Sequence, residues 1–158
     1  MRFLGIDYGR RRIGLALSDP SGLLARPWKV VPRRGGRSEV VTALAAEIAA
    51  LVSEDDGLAG VVMGHPRTLA GEATELTGEV TALAELLRAR ASLPVTLQDE
   101  RLSSKEAESL LARRLKNWRD RKPLLDAASA AVILQDFLDG RAGTAGTVAG
   151  DDLEDPFS

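Results

Sequence analysis

The sequence predicts an α/β protein built on one mixed, five-stranded sheet with helices on both faces. Three observations predict it. The chain opens with three short segments of strand-like alternation joined by tight turns. It then alternates between helical and short apolar segments. Its 158 residues, 44% of them hydrophobic, suffice for one domain with a real core.

Arg2 to Asp7 and Arg12 to Ser18 read as the first two strands. Ile13, Leu15 and Leu17 alternate with small or polar neighbours, the period of a half-buried strand. The link Tyr8-Gly9-Arg10-Arg11 is short enough for a hairpin. Asp19-Pro20-Ser21-Gly22 has proline second and glycine fourth, a strong turn signal, and a third strand follows over about Leu23 to Val31. Ser38 can cap a helix whose Val41, Leu44, Ala45, Ile48 and Val52 share one face. Leu58 to Gly64 is a fourth strand, Glu72 to Ala91 a second helix and Val95 to Gln98 the fifth strand. Ser103 with Glu106 forms a capping box for a helix through Leu110 and Leu111. Pro123 suits the first turn of a last helix that reaches about Asp139. Residues 1–139 are thus expected to form the domain. From Gly140 the composition predicts a disordered acidic tail, 140–158. An antiparallel meander followed by α/β crossovers is the ribonuclease H-like architecture.

Composition narrows the chemistry. There is no cysteine and a single histidine, His65, so a thiolate or histidine metal cluster is excluded. Any metal must be held by oxygen, which selects Mg²⁺ or Mn²⁺. No apolar run approaches the ~18 residues of a membrane span. The first residues meet Asp7 after four uncharged ones, unlike a signal peptide, and the expected location is the cytoplasm. The net charge of −2 conceals an asymmetry. Four of the 23 carboxylates, and none of the 21 basic residues, fall in the last eight positions. Basic residues gather instead at Arg10-Arg11-Arg12, at Arg33, Arg34 and Arg37, and from Arg113 to Lys122. Such local patches decide whether phosphate is attracted.

Three carboxylates stand out. Asp7 ends the first strand, Glu100 ends the last strand beside Asp99, and Asp126 opens the last helix on the stripe of Ala130, Ile133 and Phe137. Converging carboxylates repel one another unless a cation lies between them. Two divalent ions about 4 Å apart would resolve this and support phosphodiester cleavage. Each acid also has a structural reading: Asp126 at a helix start, Asp7 anchoring the turn before Gly9, Glu100 or Asp99 paired with Arg101. Arg12 and Arg101 are candidates for holding a phosphate. In the run 113–122, Arg113, Arg114, Lys116 and Arg119 surround Trp118, a combination suited to single-stranded or branched nucleic acid. A basic helix end with Trp118 packed on the core is the level alternative.

Four segments together resemble the bacterial YqgF/RuvX family of the ribonuclease H-like superfamily. They are Gly5-Ile6-Asp7-Tyr8-Gly9 with Arg12-Ile13-Gly14 and Ser18-Asp19; Gly64-His65-Pro66 with Gly71; Asp99-Glu100-Arg101-Leu102-Ser103-Ser104 with Glu106-Ala107; and Asp126-Ala127-Ala128-Ser129-Ala130-Ala131 with Ile133-Leu134-Gln135. The resemblance implies a metal-dependent nuclease with Asp7, Glu100 and Asp126 as its acidic triad and metal ligands. Its members are associated with processing of precursor 16S rRNA in ribosome biogenesis or with resolving four-way DNA (Holliday) junctions. Partners so implied are nucleic acid and ribosomal particles, the chain acting as a monomer or homodimer. The loop from Gly64 to Gly71 departs from the family pattern at His65, Arg67 and Thr68, which leaves its substrate contacts open. His65 could serve proton transfer or phosphate binding, or be a tolerated substitution. Two rivals remain. Asp-Tyr-Gly-x-x-Arg also resembles the phosphate-binding start of actin-like and sugar-kinase ATPases, which need two such domains. A non-catalytic nucleic-acid-binding assembly factor is the other.

Overall fold

Five strands form one sheet in the order β3-β2-β1-β4-β5. The structure, a computed structural model, describes residues 1–66, 73–100 and 125–148. Strands β1 (Arg2–Tyr8), β2 (Arg12–Ser18) and β3 (Ala25–Pro32) make the antiparallel meander. Strands β4 (Leu58–Pro66) and β5 (Val95–Glu100) then add in parallel to β1. Helices α1 (Arg37–Val52) and α2 (Glu75–Ala91) cover one face, and α3 (Leu125–Val148) covers the other. The predicted mixed sheet with helices on both faces is the observed one. The predicted helix through Leu110 and Leu111, and Pro123, lie outside the described residues.

Period-two alternation sorts the strand residues between two cores. Leu4, Ile6, Tyr8, Ile13, Leu15, Val61 and Met63 pack with Val41, Leu44 and Ile48 of α1 and Val80, Leu83 and Leu87 of α2. The opposite face carries smaller residues, Ala16 and Val62, beneath Ala130, Ala131, Ile133 and Leu134 of α3. Small residues on both sides let α3 come close. A Cβ added at Gly5 would lie 2.8 Å from Leu134 Cβ and 3.0 Å from the Ala130 carbonyl oxygen. Gln135 tethers α3 to the exposed sheet edge, accepting from the Ala25 N–H (2.9 Å) and donating to the Leu23 carbonyl (2.9 Å).

Several strand ends shift by one or two residues, and three helix boundaries differ from expectation. Helix α1 is capped at Gly36 rather than Ser38, because the Glu39 carboxylate reaches back to accept from the Gly36 N–H at 2.9 Å. Gly35, at φ +73°, turns the chain into that cap, a conformation open to glycine without strain. Helix α2 begins at Glu75 because Thr74 caps it, exchanging bonds with Thr77, whose hydroxyl donates to the Pro66 carbonyl. Helix α3 continues past Asp139 to Val148 despite its glycines. Arg141 anchors the stretch just past Asp139: its guanidinium lies 4.6 Å over the Phe3 ring and 5.9 Å from that of Phe137. These contacts hold the helix to the sheet where propensity alone ends it. Among the described residues, no helix is long and apolar enough to cross a membrane.

Candidate active site

Strands β1, β4 and β5 run parallel, so their carboxyl ends share one edge of the sheet, the usual place for sites in such sheets. Asp7 stands near that end of β1 and Glu100 closes β5, in register with Pro66 of the intervening β4. Glu100 is fixed by this place in the ladder.

Asp126 arrives from the other end of the sequence. Phe3, Gly5 and Asp7 alternate onto the α3 face of β1. Phe3 meets Phe137 edge-on at 5.4 Å between ring centres, and Gly5 meets Ala130 and Leu134. The next step up the strand is Asp7, whose register partner on β2 is Gly14. A Cβ added at Gly14 would sit 1.9 Å from the Asp126 carbonyl oxygen and 2.8 Å from the Ala127 nitrogen. The first turn of α3 is therefore pressed against the strand position that pairs with Asp7. The Asp126 backbone is thereby seated beside the register partner of Asp7, and both acids are partly exposed.

Arg12 completes the visible charge. It lies two residues before Gly14 on the same face of β2, and its Nε forms an ion pair with Asp126 Oδ2 at 2.8 Å. The pair is well exposed, with side chains 67% and 34% accessible, so its worth to stability is at most about 1 kcal/mol. Its significance is positional: a cation already sits on the acid expected to hold metal. Among the described residues no three of His, Asp and Glu lie close enough together to hold a metal ion; the side chain of Glu100 lies outside them. Arg101, Arg113, Arg114, Lys116, Trp118 and Arg119, with Arg67, Thr68 and Gly71, also lie outside the described residues.

His65 is not brought to the acids. It follows Val61 and Met63 onto the α2 face, and its Nε2 lies 3.0 Å from the Thr81 hydroxyl of α2. The sequence reading missed two residues that shape the site. Gly14 is one, and only its smallness opposite an alanine-rich helix start hints at its role. Arg33 is the other. Its guanidinium lies 4.6 Å over the Tyr8 ring, pairs with Glu79 at 3.2 Å and donates to the Gly9 carbonyl at 3.5 Å. Burial raises the Tyr8 hydroxyl pKa, against the opposing pull of Arg33.

The family model described as RuvX, Holliday junction resolvase, matches residues 1–140. The chain belongs to the RuvX family. Among RuvX relatives, the "Putative pre-16S rRNA nuclease" of Rhodococcus opacus (strain B4) is 39% identical over 153 residues, 95% of this chain and 85% of that protein. The protein of the same name from Anaeromyxobacter sp. (strain Fw109-5) is 42% identical over 141 residues, 89% of this chain and 98% of the relative. As a RuvX protein the chain is a hydrolytic nuclease. The fold is shared with Thermus thermophilus RuvC: TM-score 0.56, 19% identity, covering 91% of this chain and 98% of that one. The RuvC structure with a Holliday junction substrate aligns at TM-score 0.53 and 21% identity, covering 91% and 97%.

Proposed function

We propose that this chain cleaves the phosphodiester backbone of precursor 16S rRNA at a divalent-metal site made by Asp7, Glu100 and Asp126. The observation that carries the reading is the seating of Asp126 against Gly14, the register partner of Asp7. That seating puts the start of α3 beside the end of β1, at the sheet edge where β5 also ends in an acid, and so supports a shared site. The span from β1 to β5 is two strand spacings, roughly 10 Å, within reach of side chains converging on a shared ion pair.

The residues present fit such ions. The donors are all oxygen, which suits Mg²⁺ or Mn²⁺, and Asp126 already attracts a positive group, Arg12. Bound there, a pair of ions would activate water and stabilise the departing oxygen of the scissile phosphate. Asp7 and Asp126 would hold the ions, and Glu100 would complete the site or orient the attacking water. Arg12, beside Asp126, is placed to hold a non-bridging phosphate oxygen through its planar fork. The names of the relatives support RNA, and cytoplasmic action on ribosomal precursors follows from that choice. The family description favours a second reading, resolution of four-way DNA junctions.

The test is cleavage of labelled precursor-rRNA fragments, single-stranded RNA and a four-way DNA junction, each with Mg²⁺, Mn²⁺ or EDTA. Wild type should cut the precursor RNA, and EDTA or Asp7→Asn should abolish cutting. Cleavage of the junction alone would move the assignment to DNA. Binding without any cleavage would overturn the catalytic reading in favour of a non-catalytic assembly factor.

A further inference from the structure

Two arginine clusters far apart in sequence become one surface in the fold. Arg10 and Arg11 lie in the β1–β2 turn, while Arg34 and Arg37 lie between the end of β3 and the start of α1. The Arg33 N–H donates to the Arg11 carbonyl at 2.9 Å, and Arg12 registers with Pro32, so the two segments are stitched side by side. Arg33 itself is committed to Glu79 and Tyr8 and fixes the junction.

We propose that Arg10, Arg11, Arg34 and Arg37 form a platform that binds the sugar–phosphate backbone of the substrate nucleic acid on the β3 side of the carboxylate site. All four are exposed, and among the described residues none makes an ion pair. The neighbouring carboxylates are occupied: Glu39 caps Gly36 and Glu79 holds Arg33. Among the described residues this positive charge is thus left uncancelled, on a chain whose net charge is −2, and such a patch suits a polyanion. The start of α1 at Arg37 adds the partial positive charge of a helix N-terminus. Four guanidinium forks with no aromatic among them read phosphate rather than base, so the contact is independent of sequence. The platform crosses the turn ends of β1, β2 and β3, roughly 10 Å. At about 3.4 Å between phosphates along a helical strand, it spans about three of them. Arg12, at its inner edge, leads directly to Asp126. The platform would hold the strand beside the cut and deepens the nuclease reading, on which its role in positioning rests.

The test compares wild type with a variant carrying Arg10→Gln, Arg11→Gln, Arg34→Gln and Arg37→Gln. Binding of fluorescein-labelled single-stranded RNA and of a four-way DNA junction is followed by anisotropy in EDTA, across about 50 to 200 mM salt. Loss of about three phosphate contacts should make the plot of log K against log salt shallower by about 2 and weaken RNA binding about tenfold at low salt. Lysine at the same four positions should restore the slope, which a folding defect would not allow. A change on RNA alone assigns the platform to an RNA strand; a change on both assigns it to any phosphodiester backbone. Unchanged slopes on both, or no binding of either by wild type, overturns the platform. Cleavage of the same RNA by wild type with Mn²⁺ is scored separately. Its absence beside a changed slope would sink the nuclease reading and leave the platform standing.

Discussion

A methyl group at Gly14 would lie 1.9 Å from the Asp126 carbonyl oxygen and 2.3 Å from its carbon, an overlap that no side-chain rotamer relieves because both partners are backbone. Gly14→Ala must therefore lift the first turn of α3 from the sheet and carry Asp126 away from Asp7. The strain falls where Ala127, Ala128 and Ala130 are fully buried, so little can yield. The expected loss is about 3 kcal/mol or more, read as a lower urea midpoint, with nuclease activity lost in any fraction that still folds. Gly78, in the exposed part of α2 with nothing within 4 Å of an added Cβ, is the control. Gly78→Ala should raise stability by about 0.5 to 1 kcal/mol. If Gly14→Ala proved as benign as Gly78→Ala, the close seating of α3 would be wrong.

At the scale of elements, the β2–β3 turn is organised by one carboxylate. The Gly22 N–H donates to the Asp19 carbonyl, while Asp19 Oδ1 accepts from the N–H groups of Leu23 and Leu24 at 2.8 and 2.9 Å, and Ser21 donates to Oδ2. The bond from Leu24, then those from Ser21 and Leu23, hold the Asp19 pKa down to about 2, against 3.8 for the free group. A depressed folded-state pKa means stabilisation that is complete above the unfolded value and lost as pH falls through the folded one. The stability gap between wild type and Asp19→Asn should hence be constant at neutral pH and close between about pH 4 and pH 2, followed by urea midpoints across that range. A gap unchanged down to pH 2 would contradict the turn geometry. This turn was legible beforehand, because Asp-Pro-Ser-Gly encodes its bonds locally. The strands were legible for the same reason, β2 to the residue. The end of α3 was not, since its support comes from Arg141 reaching Phe3 across the whole chain. The start of α1 was misplaced because both Ser38 and Glu39 satisfy capping rules and only the turn at Gly35 decides between them. In the site, the inward stripe of Asp126 could be read from helical period. Its pairing with Arg12 and its contact with Gly14 depend on register between distant elements, which no local pattern carries.

For the whole molecule, the site joins elements that otherwise stabilise separate cores: β1 and β2 belong to both faces, whereas α3 is held on one face by Ile133, Leu134 and Leu138 among alanines and by the Gln135 tether. A cation shared by Asp7 and Asp126 would tie α3 to β1 directly, so metal binding should register as global stability. A ligand that binds only the folded state stabilises by RT ln(1 + [L]/Kd), about 2.7 kcal/mol at a hundredfold excess over Kd. For a domain of this size that is a rise in Tm of roughly 5 to 10 °C. Wild type should show this rise with Mn²⁺ and lose it in EDTA, and Asp126→Asn should show little of it. Arg12 makes the prediction sharper. Its guanidinium competes for Asp126 at 2.8 Å, and the exposed pair itself contributes at most about 1 kcal/mol. Arg12→Gln should accordingly leave the metal-free Tm nearly unchanged, yet respond to lower Mn²⁺ concentrations than wild type, while binding RNA more weakly. Differential scanning fluorimetry across a Mn²⁺ titration of the three proteins reads the thermal shifts without any turnover, and RNA anisotropy reads the binding. A wild-type Tm indifferent to Mn²⁺ would remove the metal from the site. A response equal in wild type and Arg12→Gln would leave the metal in place but show that Arg12 does not contend for Asp126.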